Sequence, residues 1–347
     1  MIIEIGDRPF VSMSLPDETQ FFSTRSGLDR PDGVRVLPGL FALWRALGDP
    51  TVRLIVVQPT FYAPWSWQHV IRAIFSRHIF RGRLPLFRVY GPQLLRWRGR
   101  APIVVMDHED MPVINRNSLY LLDRCRLWFK RELPVDHWRV FMKTAHANLP
   151  TPRFRLARRN RARVAKLRPI SLGFKLGIEL PDTAATAAKT VDVFFAGRIE
   201  GSSSVREAER AELLALREAG LIVDIPEGPL PRDEFYRRCA AAWLVWSPEG
   251  YGWDCFRHYE APACGSVPVI NLPTIRRHQP LVDGEHALFY EPRSGELTRV
   301  IVAALADKER LVAMARAGRA HVLAHHTPLA LSRHMVEAGL EADRGAA

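Results

Sequence analysis

Arg257 and Glu260 stand three residues apart in the stretch 246–270, just after glycines at 250 and 252. At that spacing the two side chains share one face of a helix, and Gly265 and Pro268 close the helix before the apolar start Val267-Pro268-Val269-Ile270. A glycine has no Cβ, so backbone built from Gly250 and Gly252 can approach a ligand closely. A cationic donor and a carboxylate acceptor beside such a turn suit a ligand with both phosphate and hydroxyl groups, as in a sugar nucleotide. Glu249 completes the set in this stretch.

Two further groupings could do chemistry. The first reads strand (191–195), small-residue loop (196–203), then Ser204-Val205-Arg206-Glu207 as a capping box opening a helix to Gly220. Unpaired backbone N–H groups and the helix dipole favour an anion there, with Gly197 in the loop and Arg198 and Arg206 as cationic donors. A plain βα turn with surface arginines is the competing reading. The loop lacks the Gly-Lys-Ser/Thr of a Walker motif and the Gly-x-Gly-x-x-Gly of a dinucleotide site. The second grouping is Asp107-His108-Glu109-Asp110, at the carboxyl end of the strand 102–106, where ligands of open α/β sheets gather. Adjacent residues on extended chain point to opposite faces, so the four cannot converge on one ion and no metal is expected. Asp107 and His108 are the candidates for acid–base work; capping the following turn is the alternative. Lys130 and Arg131, at another strand end, could reach a phosphate or pair with nearby acids.

The elements that would hold these groups alternate as in a parallel α/β protein. Residues 52–57, 86–90, 102–106 and 127–130 read as strands, with helices over 66–75 and 119–126. A short glycine-capped helix is expected at 38–48, and the first fifty residues otherwise carry little signal. Strands at 221–225, 242–246, 267–270 and 284–290 follow the 191–195 strand, with helices at 231–241, 295–306 and 308–325. Small residues at 180–188 mark a linker. The expected organisation is therefore an N-terminal Rossmann-like domain at 1–178, a linker at 179–189, a second domain at 190–328 and a helical tail at 329–347.

With 347 residues, two domains of ordinary size are expected. No apolar run approaches the roughly 18 residues of a membrane span, and the N-terminus carries acids where a signal peptide has bases, so a cytoplasmic protein is expected. Cysteines 125, 239, 255 and 264 have no metal-type spacing and read as reduced thiols. The net charge of +12 is uneven, since residues 153–168 hold eight Arg/Lys and no acid, and without them the balance is about +4. That segment could be a solvated helix or could meet an anionic partner: acidic lipid headgroups at the inner membrane face, a phosphorylated acceptor, or nucleic acid, with nucleic acid the least favoured.

Phe194-Phe195-Ala196-Gly197-Arg198, Ser247-Pro248-Glu249-Gly250-Tyr251-Gly252, Tyr259-Glu260-Ala261-Pro262-Ala263-Cys264-Gly265, Asp283-Gly284-Glu285-His286-Ala287 and the helical end together resemble the C-terminal half of a GT-B glycosyltransferase. The resemblance covers roughly 190–328 and implies two Rossmann-like domains facing a cleft. It also implies transfer of a sugar from a nucleoside-diphosphate donor such as a UDP-sugar, without a metal, to a glycan, lipid or protein acceptor in surface polysaccharide or glycolipid synthesis. In that family the segment similar to 260–265 places its glutamate on the ribose hydroxyls, which implies this role for Glu260. Glu249 and Glu260 lie further apart than the glutamate pair of the retaining enzymes. Arg257-His258-Tyr259-Glu260 is instead similar to the Arg-x-x-Glu of exostosin-like transferases, where the arginine suits the diphosphate. Rival readings are a GT-B-fold epimerase or silent sugar-nucleotide binder, and a nucleic-acid-binding protein using 153–168.

Overall fold

A computed structural model of the chain describes residues 1–24, 34, 39–59, 91–142, 158–175 and 187–345. The helix expected at 66–75, the strand at 86–90, residues 153–157 of the basic segment and most of the 179–189 linker lie outside the described residues. The chain divides into two units, one of residues 1–170 with 328–347 and the other of 171–327. The division falls after Ile170 rather than near 178, and the C-terminal helix belongs to the first unit instead of forming a separate tail.

Unit 1 holds a six-stranded sheet in the order β2-β1-β3-β4-β5-β6, every pairing parallel. The strands are β1 (Ile2–Gly6), β2 (Thr19–Ser23), β3 (Leu54–Val57), β4 (Ile103–Asp107), β5 (Leu127–Lys130) and β6 (Leu167–Pro169). β1, β3, β4 and β5 are buried throughout, which accounts for their near-continuous apolar sequences. β1 and β2 lie in the first fifty residues, which carry little sequence signal, and β1 holds a glutamate within its apolar run. Glu4 is fully buried, and its carboxylate accepts bonds from the backbone N–H groups of Phe10 (2.8 Å), Val11 (3.2 Å) and Ser12 (2.8 Å) and from the Ser12 hydroxyl (2.7 Å). It thereby satisfies the start of the short helix α1 (Val11–Ser14). Helices α2 (Leu40–Ala46), α3 (Leu119–Arg124) and α4 (Arg158–Val164) follow.

Three cations of the basic segment, Arg159, Arg163 and Lys166, are engaged inside unit 1. Arg163 donates to Asp123 through Nε (2.7 Å) and Nη2 (2.8 Å), Arg159 adds a second bidentate contact, and Lys166 Nζ caps α3 at the carbonyls of Leu122 (3.0 Å) and Asp123 (3.2 Å). Burial works to raise the Asp123 pKa, but the two arginines outweigh it and bring it down to about 2.

Unit 2 holds a five-stranded parallel sheet in the order β11-β10-β9-β7-β8. Its strands are β7 (Val191–Phe194), β8 (Val223–Asp224), β9 (Ala242–Trp246), β10 (Val267–Asn271) and β11 (Leu288–Tyr290). Between and after them run α5 (Ser204–Glu218), α6 (Arg232–Ala241), α7 (Phe256–Ala263), α8 (Glu296–Leu305) and α9 (Lys308–His325). The core joins Val193, Phe195, Leu244, Trp246 and Val269 of the sheet to Leu213, Leu297 and Leu311 of the helices. Among the described residues no helix is long and apolar enough to cross a membrane.

The last helix, α10 (Pro328–Arg344), returns to unit 1 and packs on β3, β4 and β5. Leu331 and Met335 are fully buried there, and a Cβ on Gly339 would lie 2.5 Å from Val104 Cγ2 and 3.2 Å from Leu54 Cδ1. The helix can seat this closely only because residue 339 has no side chain. We therefore expect Gly339→Val to lower the stability of the chain by about 1–3 kcal/mol in urea unfolding; an unchanged midpoint would mean that the helix does not dock this way. Lys130→Met, which strips the buried Asp107 carboxylate of its cation, should cost about 3–5 kcal/mol in the same assay.

Candidate functional site

In unit 2 the chain leaves β7 toward β8 on one side of the sheet, while β9 lies on the other side, followed by β10 and β11. The gap between the carboxyl ends of β7 and β9 is thus a topological switch point, where loops leaving neighbouring strands part and open a crevice. Two of the expected loops, 195–203 after β7 and 247–255 after β9, flank it. At its base the buried Phe195 ring packs on Trp246, with centroids 4.6 Å apart.

Two guanidinium groups lie over this phenyl ring, Arg257 at 5.0 Å and Arg206 at 5.9 Å from the centroid. Backbone carbonyls hold both. Arg257 Nη1 donates to Ala196 O (3.2 Å), while Arg206 donates through Nη1 to Arg198 O (2.9 Å) and through Nη2 to Pro248 O (3.3 Å) and Cys255 Sγ (3.6 Å). Arg257 Nε and Nη2 and Arg206 Nε are buried and meet no acceptor among the described residues. Burial, and then the like charge of Arg257, lower the Arg206 pKa to about 10, so it stays charged at neutral pH. Gly197 and Gly250 make room for this arrangement. A Cβ on Gly197 would stand 2.6 Å from Arg257 Nη1, and one on Gly250 would stand 2.9 Å from Arg206 Nη2.

The helix that carries Arg206 starts at the same place. Its cap is Ser203, one residue earlier than expected, whose hydroxyl accepts from Val205 N (3.2 Å); Glu207 reaches back to Gly201 N (2.7 Å). Arg198 is exposed, donating through Nε to Glu200 O (3.1 Å) and through Nη1 to Tyr251 OH (3.4 Å). In the second loop, Gly250 N donates to Gly252 O (2.8 Å), closing a tight turn. Glu249 turns to Asn271 at the end of β10, with bonds of 2.8 Å from its backbone N–H and 3.1 Å to its carboxylate. Asp254 accepts from Leu172 N (2.7 Å) and Tyr259 OH (2.5 Å), and His258 bonds Ser247 (2.7 Å) and Trp253 O (2.9 Å). These contacts fix the loop onto α7.

Glu260 sits one helical turn after Arg257 and is almost fully buried. It accepts a bond from Tyr236 OH on α6 (3.0 Å). Burial raises its pKa; Lys175, the Tyr236 hydroxyl, Arg257 and Arg232 oppose the rise. Lys175, Tyr236, Asn271 and Cys255 are therefore parts of the site that motif reading missed. Tyr236 alone had a local signal, an aromatic on a polar helix that faces inward.

One turn on from Arg206 in α5, Glu209 accepts a bond from Tyr290 OH, and Trp246 Nε1 donates to the same hydroxyl (3.1 Å). Burial lifts the Glu209 pKa to about 7. This buried chain fixes Trp246, and through it the ring under the two arginines.

Of the first unit's candidates, Asp107 is buried at the end of β4, its Oδ2 accepting from Trp128 Nε1 (3.0 Å) and Lys130 Nζ (3.0 Å). Its Oδ1 accepts from Glu109 N (3.2 Å), the turn-capping role that competed with a chemical one. Arg131 pairs with Asp110. His108 packs edge-on against Phe10, centroids 5.1 Å apart, and its Nε2 is buried without a partner among the described residues. Burial, and then Arg131, depress its pKa to about 3. The switch point of this sheet lies between β1 and β3 rather than at β4, so 107–110 sits to one side of it. Among the described residues no three His, Cys, Asp or Glu are placed to hold a metal ion.

A family model described as "Glycosyl transferase-like" matches residues 228–337. Comparison with curated proteins by sequence gives no match. Among solved structures, sucrose-phosphate synthase from Thermosynechococcus elongatus aligns with a TM-score of 0.55 at 12% identity, over 99% of this chain and 100% of that one. The Anabaena protein HepE in complex with UDP aligns with a TM-score of 0.55 at 14% identity, over 97% and 98%. A glycosyltransferase from Rickettsia africae aligns with a TM-score of 0.55 at 9% identity, over 99% and 98%. At these identities the likeness is one of fold, and it spans both units: the chain has the two-domain GT-B architecture.

Proposed function

We propose that this protein is a glycosyltransferase that moves a sugar from a nucleoside-diphosphate sugar to an acceptor hydroxyl, in the synthesis of a surface polysaccharide or glycolipid. One observation carries the reading. Arg206 and Arg257 bring buried, unpaired N–H donors to the switch point of unit 2, and no carboxylate bonds either of them among the described residues. Two adjacent cations with no carboxylate hydrogen-bonded to them among the described residues are suited to an external anion, and a diphosphate at the start of α5 supplies it. The HepE structure is described as a complex with UDP, which supports UDP as the nucleotide.

In this reading the bond between the anomeric carbon and the diphosphate oxygen breaks, and the acceptor oxygen bonds that carbon. Charge develops on the departing diphosphate, where Arg206, Arg257, the exposed Arg198 and the α5 N-terminus stabilise it without a resident metal. Glu260 accepts the ribose hydroxyls, with Tyr236 holding its other face. Gly197, Gly250 and Gly252 keep the loop backbone close, and Glu249, bound to Asn271, shapes the turn. The acceptor proton goes to a base; of the two candidates on unit 1, Asp107 already serves Lys130 and Trp128, and His108, its pKa brought down to about 3 by burial and Arg131, is a weak base at neutral pH, so neither is assigned that part. The nucleic-acid alternative is less favoured, since Arg159, Arg163 and Lys166 of the basic segment make contacts within unit 1.

Glu260→Gln keeps an acceptor for Tyr236 but loses the charge, so affinity for a UDP-sugar should fall about tenfold or more in calorimetry, at about 1.5–3 kcal/mol per charge-assisted bond. Unchanged affinity for every nucleotide sugar tried would sink the site assignment. Because the Glu260 pKa is raised above 4.5, its carboxylate is lost earlier on acidification than an ordinary one. Donor affinity should therefore weaken toward acid pH, and Glu260→Gln should flatten that limb. Mass spectrometry with labelled donor should show the sugar on an acceptor; a free, modified sugar would mean an epimerase.

A further inference from the structure

Four aromatic side chains stand out as exposed among the described residues, and three of them, Phe41, Trp44 and Trp97, belong to unit 1. The fourth, Tyr251, is at the nucleotide site. Phe41 is 70% exposed and Trp97 59% exposed. The first two lie on α2, which sends Leu43 and the following Leu47 into the core and turns Phe41 and Trp44 outward. Trp97 ends a 3-10 helix at Pro92–Arg96.

Arg98 ties the two segments together. Its Nε donates to the Trp44 carbonyl (2.8 Å), and its guanidinium lies 4.7 Å from the centroid of the Trp44 ring. Arg45 covers Phe41 in the same way, also at 4.7 Å. Beside this pair a cavity of about 400 Å³ opens between Phe41, Arg45, Phe22 and Met1. Residues 39–49 and 91–101 carry four arginines, at 45, 96, 98 and 100, against the single acid Asp49.

Isolated apolar residues on a surface are ordinary, but three large rings on two segments joined through Arg98 keep apolar area in water, at about 25 cal/mol per Å². Rings of this kind, two of them with a guanidinium beside them, match a medium that is apolar on one side and anionic on the other. The headgroup layer of an acidic bilayer is such a medium: tryptophan and phenylalanine lodge at its boundary and arginines meet its phosphates. We infer that α2 and the turn after Pro92–Arg96 form a docking surface for an anionic lipid bilayer, with Phe41, Trp44 and Trp97 entering the boundary and Arg45, Arg98 and Arg100 facing the phosphates. This goes beyond the transferase reading and does not depend on it. It also places membrane contact on a different surface from the basic segment 153–168, whose described cations are largely engaged in unit 1.

The full-length chain should sediment with vesicles of equal parts phosphatidylglycerol and phosphatidylcholine, and much less with phosphatidylcholine alone. Replacing Phe41, Trp44 and Trp97 together by serine should lower the partition at least about tenfold, with thermal unfolding as the check on fold. Trp44→Phe with Trp97→Phe is the milder variant: it should still sediment, but brominated lipid should quench its tryptophan fluorescence far less than that of the parent. Failure of the parent to bind anionic vesicles, full binding by the serine variant, or undiminished quenching in the phenylalanine variant would each overturn the inference.

Discussion

Two like charges packed against one phenyl ring set the terms for the second unit. Arg206 and Arg257 repel each other, and burial adds to the cost, yet backbone carbonyls of Ala196, Arg198 and Pro248 hold both in place. Carbonyl dipoles neutralise less than a carboxylate would, so the site keeps a net positive field. Much of the neighbourhood follows from that: glycines where the guanidiniums lie against the chain, a capped helix start beside them, and a buried Glu209–Tyr290–Trp246 network bracing the ring from behind. The site is built for an anion it does not itself contain.

Parallel sheets make such a place available. Every connection between neighbouring strands must cross over, and where the order reverses two loops diverge at the carboxyl edge. In unit 2 the reversal lies between β7 and β9, and the loops leading to the helices that carry the cations leave those strands. Unit 1 has its own reversal between β1 and β3, and its buried charges serve the framework: Glu4 satisfies α1, and Asp107 balances Lys130. The same residue types thus act differently in the two units, according to whether a partner within the chain satisfies them.

The basic segment shows how composition misleads when read alone. Eight cations without an acid in sixteen residues point outward in a sequence count. In the fold, a distant acid, Asp123, takes two of the arginines, and the carbonyls ending α3 take Lys166. Conversely, three of the aromatic residues that face water, Phe41, Trp44 and Trp97, sit in α2, which its sequence marks as a short helix, and in the segment after the 3-10 helix at Pro92–Arg96. Exposure depends on which face the core claims, and in a seven-residue helix the pattern is too short to reveal it.

The sequence by itself determined the strand-and-helix order of unit 2, the glycine turns, and the pairing of Arg257 with Glu260 on one helix, because these depend on local backbone preference and on spacing along a single element. Helix α9 stands at the residues its apolar spacing implies, and in the structure Asp307 caps it, accepting from Arg310 N (2.9 Å). Only the tertiary structure decided that Arg206 joins Arg257 over Phe195, that Tyr236 and Lys175 attend Glu260, and that α10 returns to the first sheet across the gap left by Gly339. Each of these joins residues far apart in the chain, and their energies lie in burial and in satisfied or unsatisfied hydrogen bonds. No local pattern encodes such quantities, since they exist only once the elements have packed.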